Sequence, residues 1–435
     1  MHTLVRSAYT VAGVAAERIA DLLPNGGGKI RRSLTSRKGV RRRFAAWASS
    51  ERDGDRPLIW FHAPSVGEGL QARSVIEALR ARRPDIQIAY TWFSPSAAAF
   101  AQSLPVDFRD VLPFDTSAAA RATLDALAPS AIVFSKLDVW PLLVEEAATR
   151  SIACALLSAT LAPRSSRGRR IGRLLLHDAY ASLDAVGAIS ADDAARLVAL
   201  GCRSESVRVT GDTRFDQVIA RARAVDRNGP LLAPLRSERP TLVAGSTWPS
   251  DERELLPALA EVRQSIPTLR VIIAPHEPTR PHVAPIESWA DAAGVSHAPL
   301  GDPAAADADV VVVERVGVLG ELYALADVAF VGGGFHRAGL HSVLEPAAYG
   351  VPVIFGHLHD NSREATLLRD AGGGYAANNR NEIAAVVRRW LHDDAARSIA
   401  GAANRRVVAD NAGATERSVT LVESLLPAPR PRADR

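Results

Sequence analysis

The sequence predicts an α/β protein built from two doubly wound domains facing each other across a cleft. Three observations carry that expectation. Short, nearly continuous apolar runs alternate with amphipathic helical stretches, the rhythm of a parallel sheet covered on both faces. The rhythm breaks once, around residues 226–238, and then restarts. At 435 residues the chain is also too long for one ordinary core.

The first 50 residues stand apart from that rhythm. Leu4–Leu23 is rich in Ala, Val and Leu but is interrupted by Arg6, Glu17, Arg18 and Asp21, too polar a pattern for a membrane span. Its apolar centre, Ala8–Ala16, lacks the context of a signal-peptide cleavage site. Between Lys29 and Arg43 there are eight basic residues and no acidic ones, so the net charge of +4 leaves the rest of the chain mildly acidic. An apolar helix followed by basic residues suits an anionic membrane surface; a surface helix with a solvated basic loop is the plainer alternative. No aromatic-interleaved or other nucleic-acid motif accompanies the charge, so nucleic acid is not an expected partner.

From residue 51 the strands follow in order: Leu58–Phe61, Ile86–Tyr90, Ala131–Phe134, Ala153–Leu157, Ala185–Ile189 and Val207–Thr210. Helical patterns at Gln71–Arg83, Ala118–Leu127, Leu142–Arg150 and Ala191–Leu200 lie between them. This first domain is expected to cover 51–225. A linker rich in turn residues follows at 226–238, including Asn228-Gly229-Pro230. The second domain, 239–426, has strands at Thr241–Ala244, Val271–Ala274, Val310–Val313, Val328–Val331 and Pro352–Phe355. The proline- and arginine-rich tail, 427–435, is expected to be disordered. Hydrophobic residues at 47% and charged residues at 23% are ordinary for a globular protein. Cys154 and Cys202, the only cysteines, lack metal-ligand spacing and make a disulfide framework or a cysteine zinc site unexpected.

Five loops carry the candidate chemistry. Gly332–Gly334 leads through His341 and Ser342 to Glu345 and Pro346, a glycine-rich turn ahead of a short helix, where free N–H groups can hold an anion such as a nucleotide phosphate. Ser65-x-x-Glu68 ends the first strand. Its carboxylate can serve as a general base if burial or neighbours raise its pKa, or it can simply close a capping box on Ser65. The same choice applies to Ser342-x-x-Glu345, with Pro346 in the first helical turn. Gly245–Ser250 and Pro275–Arg280 follow strands of the second domain, and Gly211–Asp216 carries Arg214 near the domain junction. Each of these is more simply a turn or cap when taken alone, and together they outline a nucleotide cleft. A Walker loop, a G-x-G-x-x-G after the first strand, a G-x-S-x-G elbow and an H-E-x-x-H are all missing, which removes support for phosphate-loop, hydride-transfer and triad chemistry.

From about Trp60 to Ala376 these motifs, in their order, resemble the 3-deoxy-D-manno-octulosonic acid (Kdo) transferases, GT-B glycosyltransferases with two Rossmann-like domains. The Ser-Val-Gly-Glu turn is Ser65–Glu68. Lys136-Leu-Asp138-Val-Trp140-Pro141 stands for the family's Glu-x-Glu-x-Trp-Pro, and Gly211–Asp216 for its Gly-Asn-x-Lys-Phe-Asp. Gly245–Thr247 and His341–Pro346 match the family's Gly-Ser-Thr and His-Asn-x-Leu-Glu-Pro. The resemblance implies transfer of Kdo from CMP-Kdo to a lipid A precursor, in lipopolysaccharide synthesis at the cytoplasmic face of the inner membrane. It implies Glu68 as general base and Lys136 and Arg214 as stabilisers of the transition state, with Ser65, Gly67 and Asp138 on the acceptor side. The donor would be held by Ser246, Thr247, Pro275, His276, Glu277, Val316, Gly317, Val318, Gly333, Gly334, His341, Ser342, Val343, Leu344 and Glu345, the last toward the ribose. A monophosphate leaving group reduces the need for a metal, and none is expected.

The chain departs from the commonest pattern at several places. Lys136 stands for Glu, Asp138 for Glu, Ser342 for Asn, His276-Glu277 for Arg-His, and Trp248 for His. Two other readings remain open at this level: a GT-B enzyme acting on a UDP-sugar, such as a 2-epimerase, and a catalytically silent membrane-surface binding protein.

Overall fold

The computed structural model describes residues 3–163, 165–360 and 362–428. The chain divides into two compact units: Met1–Asp216 together with Ala412–Arg435, and Gln217–Asn411. Each is built on one seven-stranded parallel sheet.

In the first unit the strands are β1 (Leu58–His62), β2 (Gln87–Trp92), β3 (Phe108–Val111), β4 (Ala131–Ser135), β5 (Ala153–Ala159), β6 (Ala185–Ala188) and β7 (Val207–Val209). They lie in the order β3-β2-β1-β4-β5-β6-β7. Every residue of β1, β2 and β4 is buried, as a sheet covered on both faces requires. The second unit contains β8 (Thr241–Thr247), β9 (Arg270–Pro275), β10 (His297–Pro299), β11 (Val310–Val312), β12 (Val328–Val331), β13 (Val353–Gly356) and β14 (Gly374–Ala377), in the order β10-β11-β9-β8-β12-β13-β14. The expected doubly wound α/β class is present in both units.

Three strands escaped the sequence pattern. β3, β10 and β14 are short and lie on sheet edges, where one side lacks a neighbour and the apolar run that marks a central strand is not needed. The helix after β1 also begins earlier than expected, at Val66 rather than Gln71. Gly67 and Gly69 count against a helix by propensity, but a side chain at Gly69 would meet the Tyr90 hydroxyl at 2.8 Å.

The division between units differs from the expected linker at 226–238. It falls after Asp216, inside the helix Thr213–Ala224, and the chain returns to the first unit at Ala412. The helix Ala414–Glu423 therefore belongs to the first unit instead of closing the second. Val419 and Val422 are buried in the first unit's core, and the Asp216 carboxylate accepts the Gly413 and Thr415 N–H groups at 2.6 Å each. An amphipathic pattern says that a helix is buried on one face but not which core covers it. Beyond residue 428, the tail expected to be disordered lies outside the described residues.

Side chains along the helix Thr3–Leu22 tie it to the rest of the first unit, Glu17 among them through Arg41. Tyr9 donates to Asp115 at 2.8 Å, and Arg6 pairs with Glu145. Asp115 also accepts the Leu142 and Leu143 N–H groups at the start of the helix Pro141–Ala148. Burial pushes its carboxyl up to about 6 against these bonds. Because the folded state holds this proton more tightly than the unfolded chain does, Asp115 stabilises the fold fully below pH ~4. That contribution is lost as pH rises toward 6, about 3 kcal/mol in all. We expect the stability difference between wild type and Asp115→Asn to fall across that window and stay flat above it, read from thermal melts at a series of pH values.

Candidate functional site

In a doubly wound sheet, ligands gather at the carboxyl ends of the strands where the strand order reverses. In the first unit that point lies between β1 and β4, and the loops leaving those strands carry Glu68 and Lys136. The capping box on Ser65 does not form. No side chain caps this helix; the Ser65 hydroxyl donates to the Glu68 carboxylate, and Lys136 Nζ lies 3.1 Å from its other oxygen. Burial raises the Glu68 pKa, but the Ser65 hydrogen bond and the Lys136 charge outweigh it, so the net shift is below the usual glutamate value. The raised pKa set as a condition for a general base is not found: Glu68 is held as a carboxylate. Lys136 reaches it from a left-handed backbone conformation, φ 65°, which costs a non-glycine residue about 1 kcal/mol or more.

Asp138 sits behind this pair. Its carboxylate accepts from Trp140 Nε1 and meets His62 Nε2, each at 3.1 Å, while His62 Nδ1 lies 3.0 Å from the Thr91 hydroxyl. The His62 hydrogen bond and charge and the Trp140 bond offset its burial and keep Asp138 below the ordinary aspartate range. Its oxygens hold the loop after β4 in place. Gly67 leaves open space beside the Glu68 turn, with only the Ser65 hydroxyl 3.9 Å from where a Cβ would stand. Arg214, in the first turn of Thr213–Ala224, is clamped by Asp212 at 2.6 Å, and Asp212 is itself fixed by Gln71.

In the second unit the reversal lies between β8 and β12, where β8 ends in Thr247 and β12 opens into Gly332–Gly334. The three glycines answer to packing. A Cβ on Gly332 would collide with the Ser246 carbonyl and one on Gly334 with the Gly356 backbone, while Gly333 has φ 93°. Ser246, at φ 52°, sits where the β8–β9 register shifts, so this loop is a bulge at the end of β8, a strand that runs three residues beyond the expected Ala244.

Within the glycine turn, the Gly333 and Phe335 N–H groups are already taken. Asp251 accepts from Gly333 N–H at 2.8 Å, Phe335 N–H at 3.0 Å and Trp248 N–H at 2.9 Å. The N–H groups at the start of the helix Leu344–Ala348 are not among those it accepts. The Thr247 hydroxyl is likewise committed, to Glu252 at 2.8 Å. Trp248 instead brings the predicted residues together. Its indole stacks on His276 at 4.4 Å and on His336 at 4.3 Å, and its N–H donates to His341 Nε2 at 3.1 Å. Burial, with His276 and His336 close by, lowers His341 to about 4, so it stays a neutral acceptor at physiological pH.

The remaining predicted donor residues separate by burial. Pro275, Val343 and Leu344 are buried. Glu277, Ser342, Val316 and Gly317 are exposed and Val318 half-buried. The Val316–Val318 turn leads into the short helix Leu319–Leu322, and Leu319 and Tyr323 close on Gly245, which joins this turn to the end of β8. The second capping box is also absent. The helix Leu344–Ala348 has Val343 at its N-cap with no side-chain bond, and Glu345 pairs with Arg221 at 3.0 Å.

The model of a family described as 3-deoxy-D-manno-octulosonic-acid transferase (kdotransferase) matches residues 38–217. A 3-deoxy-D-manno-octulosonic acid transferase of Chlamydophila psittaci is 30% identical over 370 residues, 82% of each chain. The chain belongs to this transferase family. It is therefore a glycosyltransferase. A second family member, from Bordetella pertussis, is 30% identical over 383 residues, 85% of this chain and 87% of its own. Among solved structures, the UDP-GlcNAc 2-epimerase of Neisseria meningitidis, bound to UDP-GlcNAc, aligns with TM-score 0.62 at 12% identity, over 85% of this chain and all of that one. A putative UDP-N-acetylglucosamine 2-epimerase of Listeria monocytogenes gives 0.61 at 14%, over 85% and 96%. At such identity the likeness is one of fold, and it agrees with the GT-B class.

Sequence reasoning missed Asp251, His336 and Arg221. A signal existed for Asp251: Trp248-Pro-Ser-Asp251 has the spacing of a helix start with an acidic third position. His336 and Arg221 have none, because their partners are remote in sequence.

Proposed function

We propose that the protein transfers Kdo from CMP-Kdo to a lipid A precursor, with Glu68 as general base, in lipopolysaccharide synthesis at the cytoplasmic face of the inner membrane. The observation that carries this reading is the Glu68 carboxylate. It stands at the carboxyl end of β1, kept ionised by Ser65 and Lys136, on a chain whose relatives bear the name of Kdo transferases.

In the proposed reaction the acceptor hydroxyl gives its proton to Glu68 as its oxygen bonds to the anomeric carbon of Kdo. The bond from that carbon to the phosphate oxygen breaks, and CMP leaves with the electron pair. Lys136 and Arg214 offset the negative charge that gathers on the phosphate and the Kdo carboxylate; their held geometry means little reorganisation at the moment of reaction. In the second unit, Glu345 takes the ribose. The Trp248 stack offers a flat aromatic face and imidazole donors for the rest of CMP. No metal is required by this scheme.

An anionic membrane surface is the proposed setting. Among the described residues, no helix is long and apolar enough to cross a membrane. The basic stretch 29–43 is partly used within the fold: Arg37 stacks over Phe93, Arg41 pairs with Glu17, Arg43 pairs with Asp110 and Lys38 donates to the Leu23 carbonyl. Lys29, Arg32 and Arg42 remain exposed. A second basic-apolar element, the helix Arg170–Ala181, adds Arg169, Arg170 and Arg173 beside Ile171, which is 80% exposed, and Leu174. Val11, Val14, Ile19 and Leu22 of the first helix are exposed as well. Transfer of labelled Kdo from CMP-Kdo onto a tetraacylated lipid A precursor in mixed micelles tests the reading.

A further inference from the structure

Arg221 lies outside every motif that pointed to the donor site, yet it is the residue that holds one of them. Its Nη1 donates to Glu345 Oε1 at 3.0 Å, and no other ion pair reaches Glu345 among the described residues. The pair lies against the backbone of Gly320. A Cβ there would stand 3.0 Å from Arg221 Nη2 and 3.5 Å from Glu345 Oε1, so glycine makes room for this contact just after the Val316–Val318 turn. The Glu345 side chain is 24% exposed and that of Arg221 51%. The carboxylate is thus mostly enclosed and the guanidinium about half exposed.

The other groups facing the pair are phenols. Tyr323 is buried beside Glu345 and Tyr349 lies near both members, pushed up to about 12 by burial, with Glu321 and Arg227 beyond it. Neither phenol carries charge at neutral pH, so Arg221 is the main source of compensation. Burial lifts the Glu345 carboxyl above the ordinary glutamate value and Arg221 pulls it back. A ribose diol donates hydrogen bonds, and a carboxylate accepts them through either oxygen. A protonated carboxyl keeps one oxygen as a donor and loses that complementarity.

We propose that Arg221 is a positioning residue for the nucleotide: it pins Glu345 by Oε1, keeps the carboxylate charged, and leaves Oε2 to accept the ribose hydroxyls of the donor. This rests on the reading of Glu345 as the ribose ligand. Arg221 itself touches the carboxylate rather than the substrate.

The test is CMP binding to the full chain by isothermal titration at about pH 6 and about pH 8, each dissociation constant divided by that of wild type at the same pH. The ratio cancels the titration of the CMP phosphate, whose second pKa is about 6. Arg221→Met is expected to weaken CMP about tenfold at the lower pH and less at the higher, because without the cation the carboxyl that burial already raises holds its proton more readily as pH falls. Arg221→Lys should recover most of the loss, and Glu345→Gln should weaken binding by the same factor at both pH values. An Arg221→Met ratio that is near one, or equal at the two pH values, overturns the inference while leaving Glu345 as a ligand. Wild-type CMP binding by Glu345→Gln instead overturns the ribose reading, and this inference falls with it.

Discussion

Glu68→Gln lowers the turnover number for Kdo transfer by about 10²- to 10⁴-fold, the range a positioned general base contributes, while donor binding and the thermal transition stay close to wild type. Glutamine keeps the size of the side chain and can still accept from Ser65, and the Lys136 side chain, 45% exposed, can turn away from the amide N–H group, so the helix Val66–Arg82 is not asked to rearrange. What it loses is the ability to take a proton. Steady-state kinetics checks the result, and a turnover within threefold of wild type removes Glu68 from the base role. A second arm uses Lys136. Its ammonium, 3.1 Å away, helps hold Glu68 below the usual glutamate range. Since Glu68 works as the anion, Lys136→Ala lets its pKa rise and moves the acid limb of the rate profile to higher pH. A limb that moves the other way, or not at all, contradicts the coupling.

Asp251→Ala has the largest expected effect on stability. The side chain has no measurable exposure and accepts three backbone N–H bonds, from Trp248, Gly333 and Phe335. Alanine leaves these donors without an acceptor, at a cost of about 1–3 kcal/mol for each one that water cannot reach. Allowing for relaxation, about 3–5 kcal/mol is expected, equivalent to roughly 6–20 °C in the melting of a unit this size. Asp251→Asn is not a mild substitute. Oδ2 takes two of the N–H groups and Oδ1 the third, so either orientation of the amide sets an N–H against an N–H. Calorimetry of both variants checks this; wild-type melting of either one contradicts the bonding assigned to the glycine turn.

The central strands could be read from the sequence because each is buried on both faces and needs a continuous apolar run, as in Leu58–His62 and Val310–Val312. The edge strands β3, β10 and β14 do not, and the helix Ala414–Glu423 shows its apolar face without showing which core receives it. At the site, Glu68 was legible as a residue leaving a strand end, while Lys136 came only from the family resemblance. Their partnerships were less legible. Both capping boxes were plausible by spacing, yet Glu68 turned to Ser65 Oγ and Lys136, and Glu345 to Arg221, because charged partners distant in sequence compete with the local backbone. The glycine turn was visible as a site of close backbone approach. That two of its N–H groups, of Gly333 and Phe335, serve Asp251 depended on a carboxylate some eighty residues earlier.

The most direct test of the proposed reaction is CMP release from CMP-Kdo by the purified full chain, measured with and without a tetraacylated lipid A precursor. The account predicts CMP release only when the lipid is present, matched by a lipid product heavier by Kdo and nearly abolished in Glu68→Gln. Release that is indifferent to the lipid, no transfer to it, or undiminished transfer by Glu68→Gln would contradict the account.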